Sequence, residues 1–309
     1  MYTDRKGRYL GTGPFYLQGD DPIVIHISLA GIILRLEADR PLNITSEFLP
    51  FVVSDSVPAD ITVQVSWDWK RSDLLHTEPV GRDKLLIYYQ EGGYCYCELD
   101  GGDRGAVAQT KYTTDFSLVS CIINTDEFDV PQDQVYQILR MLPIRQILLH
   151  RNVLLLHASQ VLHEHRGILF SAPSGTGKTT QAKLWRQYRN ARIICNDRTL
   201  LRKTDQQWMT YGYPYDGSEP VGSDQILPLR CLVLLQQAGE NSVVRLRPAK
   251  ALSLLMRQVI IDGWDPLSRR KAMDLLAQLL GDVPAYGLKC TISEEAVAVL
   301  ERRLQEEEN

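Results

Sequence analysis

Over the first 130 residues the apolar positions fall in short runs and not at helical spacing. PIVIHIS (22–28), GIILRLEA (31–38), DITVQVSWDW (60–69), KLLIYYQ (84–90), GYCYCEL (93–99) and DFSLVSCII (115–123) are rich in β-branched and aromatic residues, the composition of strands. Turn-prone stretches such as QGDDP, SDSVPAD, EGG and DGGDRG separate them. DITVQVSW alternates apolar with polar residues, which predicts a strand with one solvated face. KLLIYYQ and GYCYCEL, joined across EGG, predict a hairpin. His26 and His76 stand singly here and are expected to be structural or surface residues.

The period then changes. PQDQVYQILRMLPIRQILLHRN (131–152) places apolar residues at helical spacing, with Pro143 inside it to bend or split the helix. From residue 152 onward, apolar β-type runs (NVLLLHASQVL, GILFSA, ARIICND, QWMTYGYPY, RCLVLLQQA, VPAYGLKC) mix with amphipathic helical ones (KTTQAKLWRQYRN, PAKALSLLMRQVI, DPLSRRKAMDLLAQLL, ISEEAVAVLERRL). That order predicts an α/β or α+β domain, a central sheet flanked by helices. Two domains are therefore expected, a β-rich one over 1–130 and an α/β one over 131–309. The end, LQEEEN, reads as a solvated acidic tail.

Composition narrows the classes. The 309 residues are 44% apolar and 23% charged, which fits globular domains and excludes disordered or collagen-like chains. A net charge of −4 gives no electrostatic case for nucleic acid as a partner. Of the six cysteines, only Cys95 and Cys97 lie close together, and that spacing is not CxxC. Buried reduced thiols and a cytoplasmic location are expected. No apolar run approaches the about 20 residues of a membrane span, and the start, MYTDRKGRYLGTGPFYL, has no apolar core of a signal peptide.

The chemistry concentrates at APSGTGKTT, Ala172 to Thr180. This fits the phosphate-binding loop pattern with Ala in place of the first glycine. Gly175 and Gly177 allow backbone conformations closed to other residues, so that successive N–H groups from Ser174 to Thr180 cradle phosphate oxygens. A helix beginning near Lys178 adds its positive end. Lys178 reaches the outer phosphates and the Thr179 hydroxyl ligates Mg²⁺. GILFSA before the loop and KTTQAKLWRQYRN after it supply the strand and helix the pattern needs. ARIICND ends at Asp197, which is either the carboxylate facing Mg²⁺ and the nucleophile or a turn cap before Arg198. Chain order predicts that its strand lies beside the loop strand. His157, at the end of LLLH, approaches the phosphate site if its strand neighbours GILFS; otherwise it is a satisfied core group. His163 and His165 are expected at the surface. Asp216, in YGYPYDGSEP, is a metal or substrate candidate or a plain loop residue. Arg198 is a candidate phosphate contact.

Taken in order, His157, GILF, APSGTGKTT, a helix and Asn196-Asp197 resemble the HPr kinase/phosphorylase family, itself akin to the phosphoenolpyruvate carboxykinases, over roughly residues 152–290. The resemblance implies that Lys178 binds phosphate, that Thr179 and Asp197 hold Mg²⁺, and that His157 is the active-site histidine. The family's first acid, its proton acceptor for the substrate serine, is Asn196 here, and an amide is not a base; Asp197 or His157 would take that proton. With RPAKAL and the β-rich first half, the whole chain looks more like the HPr-kinase-like proteins found beside peptide-maturation enzymes, including those of lasso-peptide pathways. This likeness implies an ATP- and Mg²⁺-dependent kinase whose partner is a serine-bearing peptide or small protein bound with help from residues 1–130. A homo-oligomer is compatible with it, and no membrane partner is expected. Two other readings stay open on the residues alone: a kinase for a free small-molecule hydroxyl, such as an amino acid or sugar, and a nucleotide-binding regulatory module without transfer.

Overall fold

The computed structural model describes residues 23–72, 74, 77–124, 134–214 and 223–307. They form a mixed α/β chain in two compact units that divide between Ile144 and Arg145. Each unit carries its own sheet.

The first unit is built from β1 (Ile23–Leu29), β2 (Ile32–Ala38), β3 (Val52–Val53), β4 (Ile61–Ser66), β5 (Gly81–Arg82), β6 (Leu86–Glu91), β7 (Tyr94–Asp100), β8 (Ala106–Tyr112) and β9 (Val119–Ile123). They pair in the order β3-β1-β2-β4-β9-β8-β7-β6-β5. The alternation in DITVQVSW has its expected result. Ile61, Val63 and Val65 are buried, while Thr62 and Gln64 are exposed. β6 and β7 form the hairpin over Gly92-Gly93, both at positive φ. His26 is buried, with Nδ1 against the Val57 carbonyl at 3.0 Å, a core histidine. His76 lies outside the described residues.

Pro143 splits the predicted helix into α1 (Val135–Met141) and α2 (Ile144–His150). It lacks the N–H that would continue the ladder. α1 belongs to the first unit, because Val135, Ile138, Leu139 and Met141 are buried there and the Met141 carbonyl accepts from Thr110 Oγ1 at 2.9 Å. The first unit thus runs on past the β-rich stretch to Ile144, because this helix packs backward onto its sheet.

The second unit continues with β10 (Val153–His163), β11 (Arg166–Ser171), α3 (Lys178–Arg189), β12 (Arg192–Cys195), β13 (Arg198–Thr204), β14 (Gln207–Tyr211), β15 (Ile226–Gln237), β16 (Ser242–Arg245), α4 (Pro248–Leu255), α5 (Pro266–Asp282), β17 (Ala285–Cys290) and α6 (Glu294–Glu306). β10 and β15 are long enough to pair with different neighbours along their lengths within the one sheet of this unit. Their first halves pair with β13 and β14; their second halves flank β11. β15 lies parallel to both β11 and β17.

Strands covered on both faces read as nearly continuous apolar runs. Ile168 and Phe170 of β11, Val233 of β15 and Leu288 of β17 face α3 and α6, against Ala182, Trp185, Val297 and Leu300. Leu169, Leu232 and Leu234 face the other way, onto Leu255 of α4 and Leu276 and Leu279 of α5. Each such large side chain contributes roughly 1.5–3 kcal/mol on burial. The α3 junction beside β11 is thus set in a rigid double-sided core.

One neighbour differs from expectation. β12 pairs with β10, not with the loop strand β11. Both edges of β11 are already taken, by β10 and β15, so the chain leaving α3 must pass over β10 to its far edge. β12 is antiparallel to β10, which is antiparallel to β11. β12 therefore still points the same way as β11, and its end reaches the end of the sheet where the loop begins.

Candidate functional site

Residues 172–177 connect β11 to α3. Gly175 sits at φ +78° and Gly177, the N-cap of α3, at φ +111°. At Gly175 an added Cβ would meet nothing within 4 Å. Backbone conformation, and not space, requires glycine there. Gln181 N donates to the Gly177 carbonyl at 2.9 Å, which starts the helix. Ser174 is exposed, and Thr176, Thr179 and Thr180 are half-buried. The loop is braced from β15, whose Gln237 Nε2 donates to the Gly175 and Thr176 carbonyls at 3.3 and 3.4 Å.

Lys178 is 7% exposed. Its Nζ donates to the Ala172 carbonyl at 3.0 Å, across the base of the loop. Burial lowers its pKa, and the negative charge of Asp197 works against that shift. The two side chains therefore share one electrostatic environment.

The register of β10 assembles the rest. His157 faces Arg198 in β13, and Ala158 faces Ser171, the last residue of β11. Ala158 N donates to the Asp197 carbonyl at 3.0 Å. His157 Nε2 lies 2.9 Å from Asp197 Oδ1. The hydrogen bond from His157 is the largest cause holding the Asp197 carboxyl below its usual range, with the charges of His157, Arg198 and Lys178 adding to it against desolvation. An ionised carboxylate only accepts, so Nε2 carries the proton and donates. Arg198 Nε lies 3.4 Å from Asp197 Oδ2. Asn196 is buried and its carbonyl accepts from Ser159 Oγ at 2.6 Å, so the carboxylate at this edge is that of Asp197.

The fold thus brings His157, Lys178, Asp197 and Arg198 to one sheet end with the glycine loop. Asp216 lies outside the described residues. His163 is not the surface residue its sequence suggested. Its side chain is 12% exposed, its ring stands edge-on to Trp185 with centroids 5.0 Å apart, and burial lowers its pKa. His165 is exposed in the β10–β11 turn. Gln237 and Ser171, whose Oγ donates to the His157 carbonyl at 2.9 Å, belong to no motif in the sequence. Only the pairing of β11 with β10 and β15 reveals them.

The donor set fits a phosphate chain with Mg²⁺. α3 has no acidic residue in its first turn, so nothing there opposes an anion at the helix N-terminus. Among the described residues no group of three or more His, Cys, Asp or Glu gathers to hold a metal. Thr179 and Asp197 are two oxygen donors. That is the sparse set suited to Mg²⁺, which keeps waters and substrate phosphates as its other ligands.

No protein-family model matches the chain, and no curated protein matches it. Among solved structures it is similar to the Hpr(Ser) kinase/phosphatase from Coxiella burnetii, at 10% identity and a TM-score of 0.30, over 50% of this chain and 99% of that one. No helix among the described residues is long and apolar enough to cross a membrane.

Proposed function

We propose that this chain is an ATP- and Mg²⁺-dependent kinase that phosphorylates a serine hydroxyl of a peptide or small protein. One observation carries the reading: the glycine loop and Lys178 share a sheet end with a carboxylate that is hydrogen-bonded to a histidine at 2.9 Å. A nucleotide gripped by the loop would supply a transferable γ-phosphoryl group, and Thr179 and Asp197 are the residues that would hold its Mg²⁺.

This chain's own residues do the rest. The loop amides and the α3 N-terminus bind phosphate oxygens. Lys178, buried and short of water, neutralises the charge on them. His157 engages Asp197 Oδ1 at 2.9 Å and Arg198 Nε lies 3.4 Å from Oδ2, which together fix the carboxylate. Asp197 then orients the serine hydroxyl and accepts its proton. Asn196, buried in the position of the family's first acid, takes no part in that transfer. The acceptor is proposed to be a ribosomally made precursor peptide, as in the lasso-peptide pathways whose kinases the sequence resembles, with the first unit helping to bind it in the cytoplasm.

The test is incubation with γ-labelled ATP, Mg²⁺ and the short peptides encoded beside this gene, read by mass spectrometry. One phosphate gained on a serine supports the reading. Transfer instead to a member of a panel of free amino acids and sugars shifts the acceptor class. Nucleotide binding with no transfer to any acceptor leaves a binding module, the reading that Asn196 favours.

A further inference from the structure

The turn after α4 brings another cation to the phosphate end of the sheet. α4 starts beside the beginning of β17, where Leu246 N donates to the Ala285 carbonyl at 2.8 Å. It then runs to Leu255. Beyond it, residues 258–260 lie along β10. His157 N donates to the Gln258 carbonyl at 2.8 Å, Ile260 N donates to Leu155 O at 2.8 Å, and Val259 bridges Leu156. β13 and β12 occupy one edge of β10. Residues 258–260 and β11 therefore share the other edge, with Gln258 bound at His157 and Ser171 paired at Ala158. Arg257 stands where β11 gives way to the loop.

Its mount is fixed. Leu255 and Val259 are buried in the core on either side. Further along, Asp262 is 1% exposed and takes Arg145 Nε at 2.8 Å and Gln146 Nε2 at 2.9 Å. Arg257 itself is exposed, and its side chain takes no partner among the described residues. By contrast, Lys178 and Arg198 already share the charge of Asp197.

A guanidinium is a planar fork that matches two phosphate oxygens, and phosphoryl transfer demands neutralisation at the terminal phosphate. We infer that Arg257 contacts the terminal phosphate of a nucleotide held by the loop, alongside Lys178. This rests on the kinase reading and names a residue that the reading does not include.

The test is calorimetric titration of the full chain with Mg²⁺ and either ATP or ADP. The proteins are wild type, Arg257→Gln, Arg257→Lys, Lys178→Met, and Arg269→Gln as an exposed control on α5. Loss of one charge-assisted contact weakens binding about tenfold or more. Arg257→Gln is expected to lose at least that much affinity for ATP and much less for ADP. Arg257→Lys should fall between, and Arg269→Gln should match wild type, with no variant melting below wild type. Equal ATP affinity in Arg257→Gln and wild type, or an equal loss for ATP and ADP, overturns the inference. If Lys178→Met alone abolishes ATP binding, the loop reading survives and only the role of Arg257 falls. If the wild type binds no ATP, both fall.

Discussion

Lys178 is held against its own preference. Its ammonium is buried, and that burial lowers its pKa, so the folded state bears a desolvation cost for keeping the charge. Lys178→Met removes both the cost and the phosphate contact. The expected result is no measurable ATP binding by titration calorimetry, with a melting temperature equal to or above wild type. Melting several degrees lower would mean that Lys178 serves the fold instead. Asp197 has the opposite character. Its folded pKa lies below the ordinary 3.8, first because His157 donates to it. A depressed acid stabilises the fold above its unfolded pKa, and that stability is lost as pH falls through the folded value. Asp197→Asn keeps an acceptor for His157 but no charge. The variant should lose less stability than wild type between neutral pH and about pH 3 in urea titrations, and its kcat should drop about 10²–10⁴-fold. A kcat within threefold, roughly the scatter of ordinary surface changes, would remove Asp197 from the chemistry.

At the scale of elements, two glycines are fixed for different reasons. A Cβ on Gly175 meets open space, but φ +78° costs other residues about 1–2 kcal/mol. A Cβ on Gly212, after β14, would lie 1.7 Å from the Ser223 carbonyl oxygen, so backbone must move. Gly212→Ala should cost about 2–4 kcal/mol in chemical denaturation and Gly175→Ala less, while only Gly175→Ala should weaken nucleotide binding. The reverse order would mean that the strain is misplaced. Strands whose buried positions are mostly apolar could be read from the sequence: β1, β2, β4, β6, β7, β9 and β11 all follow their runs, even with His26, Glu98 and Ser171 buried in β1, β7 and β11. β8 and β13 could not. In β8 the buried positions include Gln109 and Thr110, satisfied by Glu98 and the Met141 carbonyl. In β13 Thr199 is fully buried and donates to Gln160. Hydrogen bonds to distant partners replace the hydrophobic signal there. The neighbour of β12 was equally hidden, because the occupancy of both β11 edges is a long-range fact. The loop and Lys178 were legible as a motif, and His157 and Asp197 stood as separate candidates whose hydrogen bond only the register of β10 supplies. Gln237, Ser171 and Arg257 were not, since only strand register brings them to the site.

For the whole molecule, the thiols and the ligand response offer separate checks. All six cysteines are free and buried, and burial raises the thiols of Cys95 and Cys290 and pushes Cys121 up to about 12. A raised thiol stays protonated and unreactive. The native protein should leave a thiol reagent unconsumed, and the denatured protein should consume six equivalents. Fast reaction of native thiols would contradict this burial. MgATP should slow hydrogen exchange at 171–180 and 256–258 in the second unit. The site is drawn from that unit alone, so the first unit's sheet should not change until a peptide acceptor is added.

The most direct measurement is transfer itself: full-length wild type and Lys178→Met, each with γ-labelled ATP, Mg²⁺ and a serine-bearing precursor peptide, followed by mass spectrometry of the peptide. The account predicts one added phosphate on a serine with the wild type and none with Lys178→Met. Labelled peptide formed at the same rate by both proteins would contradict it.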